Sequence, residues 1–379
     1  MKQYKKLLQD VLSNGAYRES RTGVSTYSVF GRTLRFDLTD GFPVVTVKRV
    51  SLKSVFAELL WFLKGSTNAR ELNAMGATIW DEWAIPMAIT QKQTLSNYQR
   101  AMELANKEGL SIQDAVNKLG GMGSDDKGHA YLDEIGIPRE KEVTIVKEGE
   151  LGAIYGAQWR GWATSQNQRI DQIKQLIQNL IDRPYSRRHI VSAWNVEDLP
   201  NESESPHQNV INGRMALAPC HYAFQMYVRD MNLEQRLVYH NKMNDEKLMH
   251  PDLTDERPCE EFTAKLDELK VPTRRLDCLV NQRSVDVPLG LPFNIASYAM
   301  LTAIIANEVG MGVGDLIFSL GDAHIYANQV EAVKEMLKRE CKPLPKLRLE
   351  YKEEYSVDDL VAAVVGYDPH TAIAIPIAV

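Results

Sequence analysis

The sequence predicts an α/β chain, and three observations predict it. Residues 26–38 and 222–228 alternate apolar and polar side chains, the period of a half-buried strand. Residues 51–65 carry apolar side chains at helical spacing between a serine and a glycine. Residues 292–309 are apolar on most helical faces, as expected of a helix at the centre of a core.

The elements follow in order. Tyr4, Leu7, Leu8, Val11 and Leu12 recur at helical spacing, and Gly15 closes that first helix. In the alternating run 26–38, Gly31 is the expected site of a bulge. Ser51 caps a helix that continues through Leu52, Val55, Leu59, Leu60 and Leu63 and stops at Gly65. Glu58 lies inside this apolar helix, either on its one exposed face or as a buried acid with a raised pKa. Residues 86–148 are polar and helix-prone, broken by Gly120-Gly121-Met122-Gly123, and read as a surface insertion. Residues 169–182 predict an amphipathic helix and 188–196 a strand. Two more polar segments, near 200–213 and 231–273, flank the strand at 222–228, and Leu276-Asp277-Cys278-Leu279-Val280 restores strand pattern.

At 379 residues the chain can bury a substantial core, as one large domain or two ordinary ones. A net charge of −6 argues against general nucleic-acid binding but leaves room for an anionic substrate where arginines concentrate. The four cysteines, at 220, 259, 278 and 341, have neither metal-ligand spacing nor the density of a disulfide scaffold. A reducing cytoplasm is the expected compartment, with no metal. The first residues lack the apolar run of a signal peptide, and no stretch is long enough to span a membrane.

Cys220 is the most informative residue. It stands in Ala218-Pro219-Cys220-His221, immediately before an alternating strand. Pro219 has no N–H to give a ladder, so the chain reaches the cysteine extended or bulged and the thiol is presented at a strand mouth. A lone cysteine is more often a small buried hydrophobe. Nucleophilic use needs a thiolate, favoured by nearby cations, and Ser186-Arg187-Arg188 and Gln282-Arg283-Ser284 offer them.

Several motifs stand together in one order. They include Ser20-Arg21-Thr22-Gly23, Glu58-Leu59-Leu60-Trp61-Phe62-Leu63, Thr78-Ile79-Trp80-Asp81-Glu82-Trp83 and Tyr155-Gly156-Ala157-Gln158-Trp159-Arg160. Further on come Ser186-Arg187-Arg188, Pro219-Cys220-His221, Gln282-Arg283-Ser284-Val285-Asp286, and Leu289-Gly290-Leu291-Pro292-Phe293-Asn294-Ile295-Ala296-Ser297-Tyr298. Gly321-Asp322-Ala323-His324-Ile325-Tyr326 and Tyr367-Asp368-Pro369-His370 complete the set. In this combination the chain resembles the thymidylate synthase family over nearly its whole length, insertions apart. The resemblance implies a three-layer α/β (α+β) fold, in which mixed sheets pack back to back across a homodimer with helices on their other face. It also implies one catalytic domain over 1–379 with insertions near 86–148, 200–213 and 231–273.

The family's reaction is reductive methylation of deoxyuridylate by 5,10-methylenetetrahydrofolate. The resemblance makes Cys220 the attacking thiolate, Glu58 the acid that organises proton movement, and Tyr155 a partner in removing the carbon 5 proton. Asn294 would read the pyrimidine, since one amide offers both a donor and an acceptor to uracil. Adjacent strand residues face opposite ways, so His221 is not expected to form a dyad with Cys220. Arg21, Arg283 and Ser284 would hold the phosphate together with Arg187 and Arg188, which reach in from the partner subunit. Arginine's planar fork suits a phosphate dianion. His324 and Tyr326 would hold the ribose. The folate would stack against Ile79, Trp80, Trp83, Leu289, Gly290 and Phe293, with Asp286 toward the pterin and Lys48 toward the glutamate tail.

The chain departs from the family pattern at Ser20, Ser66 and Pro288 and in the tail at Thr371-Ala372-Ile373-Ala374. The tail matters because in this family it closes over the folate and excludes water. A hydroxymethylase branch, in which water instead of hydride captures the exocyclic methylene, shares most of these motifs; Trp80 and the near-complete tail favour hydride transfer, whereas the altered tail positions and the insertion near 231–273 favour water. Its product would be 5-hydroxymethyl-deoxyuridylate with tetrahydrofolate, whereas methylation releases dihydrofolate. A non-catalytic nucleotide-binding regulator would instead fail to trap a 5-fluoro substrate analogue covalently.

Overall fold

Alternating side chains build strands here, and the strands assemble into one mixed sheet. The computed structural model describes residues 1–19, 23–120, 125–249 and 256–377, and at 97, 125–126, 129, 141–142 and 256–259 it describes backbone alone. The sheet's strands are β1 (Ala16–Arg18), β2 (Thr26–Asp37), β3 (Ile190–Ser192), β4 (His221–Asp230), β5 (Arg274–Asp286) and β6 (Gly312–Tyr326). They lie in the order β1-β2-β6-β5-β4-β3. β6 is parallel to β5, and the remaining neighbours are antiparallel. A parallel pair needs a long crossover. The helix Gly290–Glu308 supplies it.

Six helices concern the site: α1 (Lys2–Asn14), α2 (Leu52–Leu63), α3 (Tyr155–Gly161), α4 (Gln172–Asp182), α5 (Leu233–Met243) and α6 (Gly290–Glu308). α6 packs on β5, β6 and α2, while α1 packs on β2 and β6. Ile295, Ala299, Leu301 and Ile305 of α6 are buried, so its apolar surface is spent on several neighbours at once. Burial alternates along the outer strands. Met226 and Val228 are buried whereas Tyr227 between them is 57% exposed, and Ile190 is 53% exposed beside a buried Val191. The sheet therefore turns a partly apolar face away from these helices. The mixed sheet with helices is the α/β arrangement expected of the family.

Residues Ala84–Glu150 form a second compact unit, distinct from Met1–Trp83 with Leu151–Val379. It contains a two-stranded antiparallel sheet, Ile89–Thr94 with Glu140–Val146, and between those strands the helices Asn97–Glu108, Ile112–Gly120 and Asp125–Glu134. Ser96 and Gln99 close a capping box at the first helix. Polar as the stretch reads, it has a core of its own in Ala101, Leu104, Ala105, Ala115, Leu132 and Ile137.

Several local expectations need correction. Gly31 takes a left-handed φ of 73°, but the pairing runs in step from Leu320↔Arg32 to Asp322↔Phe30, so it is a kink without a bulge. The register slips elsewhere, between His221 and Ala223 and between Val313 and Leu316. The helix expected from 169 begins at Gln172, where the Asp171 side chain caps it, and Arg169–Ile170 pairs instead with Trp162–Ala163. The strand expected over 188–196 is only Ile190–Ser192, because the Trp194 N–H turns back to the Ser192 hydroxyl. The segment near 231–273, for which the sequence suggested only polar character, holds α5 and the helix Glu256–Glu268 among its described residues. Among the described residues no helix is long and apolar enough to cross a membrane.

Candidate active site

The register slip at the start of β4 places Cys220 at the strand mouth, partly exposed. Its backbone N–H donates to the Tyr155 hydroxyl at 2.8 Å, and its carbonyl accepts from the Arg283 N–H at 2.8 Å. The Arg283 guanidinium donates to the Pro219 carbonyl at 2.9 Å and the Ala218 carbonyl at 3.0 Å. One arginine thus clamps the cysteine loop while keeping a cation beside it. Its guanidinium also lies 5.7 Å from the Trp194 ring centroid.

Tyr155 opens α3 and is buried. Burial and then the charge at Cys220 hold its phenol well above the ordinary range, with Glu58 adding to the effect, so it stays a proton donor. Glu58 sits in α2 among apolar neighbours and is 8% exposed. Burial pushes its carboxyl up to about 7, against the pull of the Trp80 indole N–H, which donates to its Oε1 at 2.7 Å. Of the two readings of Glu58, the buried one describes the molecule. Phe62, Trp80 and Tyr155 pack as one aromatic group, with ring centroids 4.9–6.3 Å apart.

His221 turns away from the chemistry. Its ring stacks on Tyr155 at 4.1 Å and its Nδ1 lies 2.8 Å from the Tyr298 hydroxyl. Burial holds it down to about 3, so it is neutral at physiological pH and serves to support Tyr155.

Asn294, in the first turn of α6, has its Oδ1 held by the Gln282 amide at 2.8 Å. That leaves the Asn294 amide with a second oxygen lone pair and its N–H donors. Gln282 is 2% exposed, and its own Oε1 is buried without a partner among the described residues. Sequence reasoning gave Gln282 no role, although it lies next to Arg283 on the inward-facing side of β5.

His324 and Tyr326 end β6, with their rings 5.0 Å apart. His324 Nδ1 lies 3.0 Å from Asp322 Oδ1, which also accepts from the Ser28 hydroxyl at 2.9 Å. Ser284 lies opposite Asp322 on the parallel neighbour, so its hydroxyl belongs to the same strand ends. Arg187 and Arg188 are exposed just ahead of the outer strand β3 and make no ion pair among the described residues. Arg21 lies outside the described residues.

Asp286 closes β5. Its Oδ1 accepts from the Leu289 N–H at 2.9 Å and its Oδ2 from the Gln329 amide at 2.7 Å. Burial raises its pKa against those bonds and the charges of His324 and Lys48. Lys48 is 5% exposed, and burial lowers it to about 8 against the attraction of Asp286. Burial thus drives both toward their neutral forms. Ile79, Trp80, Trp83, Leu289, Gly290 and Phe293 are all half-buried, with Trp80 and Trp83 centroids 5.9 Å apart. Apolar surface beside a buried carboxyl and a short run of backbone suits a flat heteroaromatic ligand.

The tail is fastened nearby. The Tyr367 hydroxyl donates to the Val45 carbonyl at 2.8 Å and accepts from the Val50 N–H at 3.0 Å. The His370 N–H donates to the Thr46 carbonyl at 2.8 Å. Arg339 holds the Thr371 and Val47 carbonyls together, at 2.7 and 3.0 Å.

The profile of the family described as Thymidylate synthase matches residues 2–379. A thymidylate synthase of Listeria innocua serovar 6a is 40% identical over 389 residues, covering 100% of both chains. One from Listeria monocytogenes serotype 4b is 40% identical over 381 residues, again covering 100% of each. With the family profile and relatives of 40% identity both matching along the length of the chain, this protein belongs to the thymidylate synthase family.

Proposed function

We propose that the protein converts deoxyuridylate (dUMP) to thymidylate, taking both the carbon and the hydride from 5,10-methylenetetrahydrofolate. The observation that carries this reading is the grouping around one thiol: Cys220, clamped by Arg283, with Tyr155 hydrogen-bonded to its backbone and electrostatically coupled to both Cys220 and Glu58. The Cys220 thiolate adds to carbon 6 of uracil, and the displaced electron pair makes carbon 5 nucleophilic. Carbon 5 then takes the one-carbon unit from the folate and loses its proton. Tyr155 and Glu58 serve that proton, since a carboxyl near 7 can both give and accept it. Hydride from the tetrahydrofolate reduces the exocyclic methylene, and the thiolate leaves, yielding thymidylate and dihydrofolate.

Asn294 reads uracil, and its fixed Oδ1 supports that role. Arg21, Arg283 and Ser284 bind the phosphate, His324 and Tyr326 the ribose. The apolar wall from Ile79 to Trp83 and from Leu289 to Phe293 takes the pterin beside Asp286, with Lys48 on the folate side. Arg187 and Arg188 act in the site of a second copy. Their exposure, and that of Ile190 and Tyr227 on the open sheet face, support a symmetric homodimer. The catalytic body is the unit Met1–Trp83 with Leu151–Val379, into which 84–150 is inserted. Free thiols at Cys220, Cys278 and Cys341 suit a reducing cytoplasm.

The test is product identity. Incubation with dUMP and methylenetetrahydrofolate should give one dihydrofolate, followed by its absorbance, per thymidylate resolved by chromatography. Tetrahydrofolate with 5-hydroxymethyl-dUMP would instead assign water capture. Binding without turnover would assign a regulator. Cys220→Ser should abolish turnover and covalent trapping of 5-fluoro-dUMP while nucleotide binding survives. More than a few per cent residual activity (about 3%, set by the kinetic loss expected of a missing nucleophile) would exclude Cys220 as the nucleophile.

A further inference from the structure

We propose that Gln329 is a positioning residue that latches the C-terminal tail to the one-carbon-donor pocket, its single amide holding the Asp286 carboxylate and the Pro376 carbonyl at once. The side chain is fully buried. Its Nε2 donates to Asp286 Oδ2 at 2.7 Å and to the Pro376 carbonyl at 2.9 Å. Its Oε1 accepts from the Tyr326 N–H at 3.2 Å. Both amide hydrogens and one oxygen lone pair are therefore used, and the group has one orientation that satisfies all three partners.

The chemistry of the amide explains the residue. Bridging a carboxylate and a carbonyl requires two donors on one neutral atom. Glutamate has none when ionised, methionine has none, and asparagine is one methylene too short to reach from the same backbone. The position in the fold matters as much. Gln329 ends the short turn Ala327–Gln329 directly after β6, so it joins the strand carrying His324 and Tyr326 to the end of β5 carrying Asp286. The tail's other fastenings, at Tyr367, His370 and Thr371, all lie upstream of Pro376. Among the described residues, Gln329 is the anchor of the tail at Pro376, and without it Asp286 retains the Leu289 N–H and the charges of Lys48 and His324.

This inference rests on the proposed reading, in which the Asp286 pocket receives the folate. If so, the closed tail also excludes water from the exocyclic methylene. Loosening it should weaken the folate and admit water, while leaving the nucleotide contacts alone. A merely structural role would weaken both ligands and leave the product ratio unchanged.

The test is Gln329→Met, close in volume, in the full-length protein. The expected result is a folate KM raised at least about tenfold, a dUMP dissociation constant within about twofold of wild type, and less dihydrofolate per nucleotide consumed as 5-hydroxymethyl-dUMP appears. A folate KM and dihydrofolate yield both within about twofold of wild type would overturn the latch. If Gln329→Met has lost dUMP binding, and so its fold, Gln329→Glu decides by the same readouts. It keeps an acceptor for Tyr326 and leaves at most one donor, the O–H of the neutral acid, so it cannot hold Asp286 and Pro376 together. Wild-type protein that binds dUMP but yields no dihydrofolate refutes the functional reading, and the latch with it. A productive wild type with an unaffected variant refutes the latch alone.

Discussion

Glu58→Gln separates two consequences of one buried carboxyl. The side chain is 8% exposed, and burial moves its pKa from the ordinary 4.5 to about 7. The folded state therefore binds this proton more tightly than the unfolded chain does. The stabilisation it gives is fully present below 4.5 and is lost as pH rises through about 7. At about 1.4 kcal/mol for each tenfold difference in proton affinity, ionising Glu58 costs the fold about 3 kcal/mol at pH 8 and under about 1 kcal/mol at pH 5. Glutamine removes the charge but keeps an oxygen for the Trp80 indole N–H, so the 2.7 Å bond survives.

The variant should therefore gain on wild type by about 2 to 3 kcal/mol between pH 5 and pH 8. Urea unfolding at both pH values measures this, with protomer concentration held constant because association is linked to stability. Turnover should fall by about 10²-fold or more, since the amide cannot exchange the proton. A stability difference that changes by less than about 0.5 kcal/mol across that range would show that Glu58 titrates like an exposed acid, and the assignment of its proton-transfer role would lose its physical basis.

Two further outcomes test the nucleotide contacts. Asn294→Asp keeps an acceptor for the Gln282 amide, so its placement should hold, but it loses the donor to uracil. The kcat/KM ratio for deoxycytidylate over deoxyuridylate should rise at least about tenfold, about 1.4 kcal/mol, and a smaller change would remove Asn294 as the base reader. A protein with Arg187→Ala and Arg188→Ala, dissociated and reassociated with Cys220→Ser protein, should regain activity. Each mixed dimer would own one site with an intact thiol and intact arginines. No recovery would mean that the arginines do not act across a dimer.

What the sequence made legible was local. Ser51 accepts the Ser54 N–H at 3.3 Å, and Gly65 takes a left-handed φ of 76°, so the limits of α2 follow from a cap and a stop a few residues from the signal. Glu58 was recognisable as an acid in an apolar helix for the same reason. Gly31 misled because a bulge is a property of two strands: β6 has its own glycine, Gly321, in the unpaired step between Leu320 and Asp322, and the ladder resumes without a slip. The core of 84–150 was hidden because a few apolar residues on one side of each short helix suffice once three helices share them.

The residues that escaped sequence reasoning are mostly glutamines, for a physical reason. Gln282 fixes Asn294 from 12 residues away, and Gln329 reaches Asp286 and Pro376 from 43 and 47 residues away. Gln158, 2% exposed, likewise donates to the Ala153 carbonyl at 2.8 Å and to Asp198 Oδ2 at 2.7 Å. In a sequence each reads as an ordinary polar residue. Buried, each amide donates to another part of the fold without bringing a charge in among Glu58, Asp286 and Cys220. A lysine in their place would carry a full charge out of water and alter the pKa of every acid nearby. A neutral amide leaves the raised carboxyl at Glu58 to be set by burial and Trp80 alone. These amides do not titrate, and in the proposed reaction the groups that exchange protons are then Glu58, Tyr155 and Cys220.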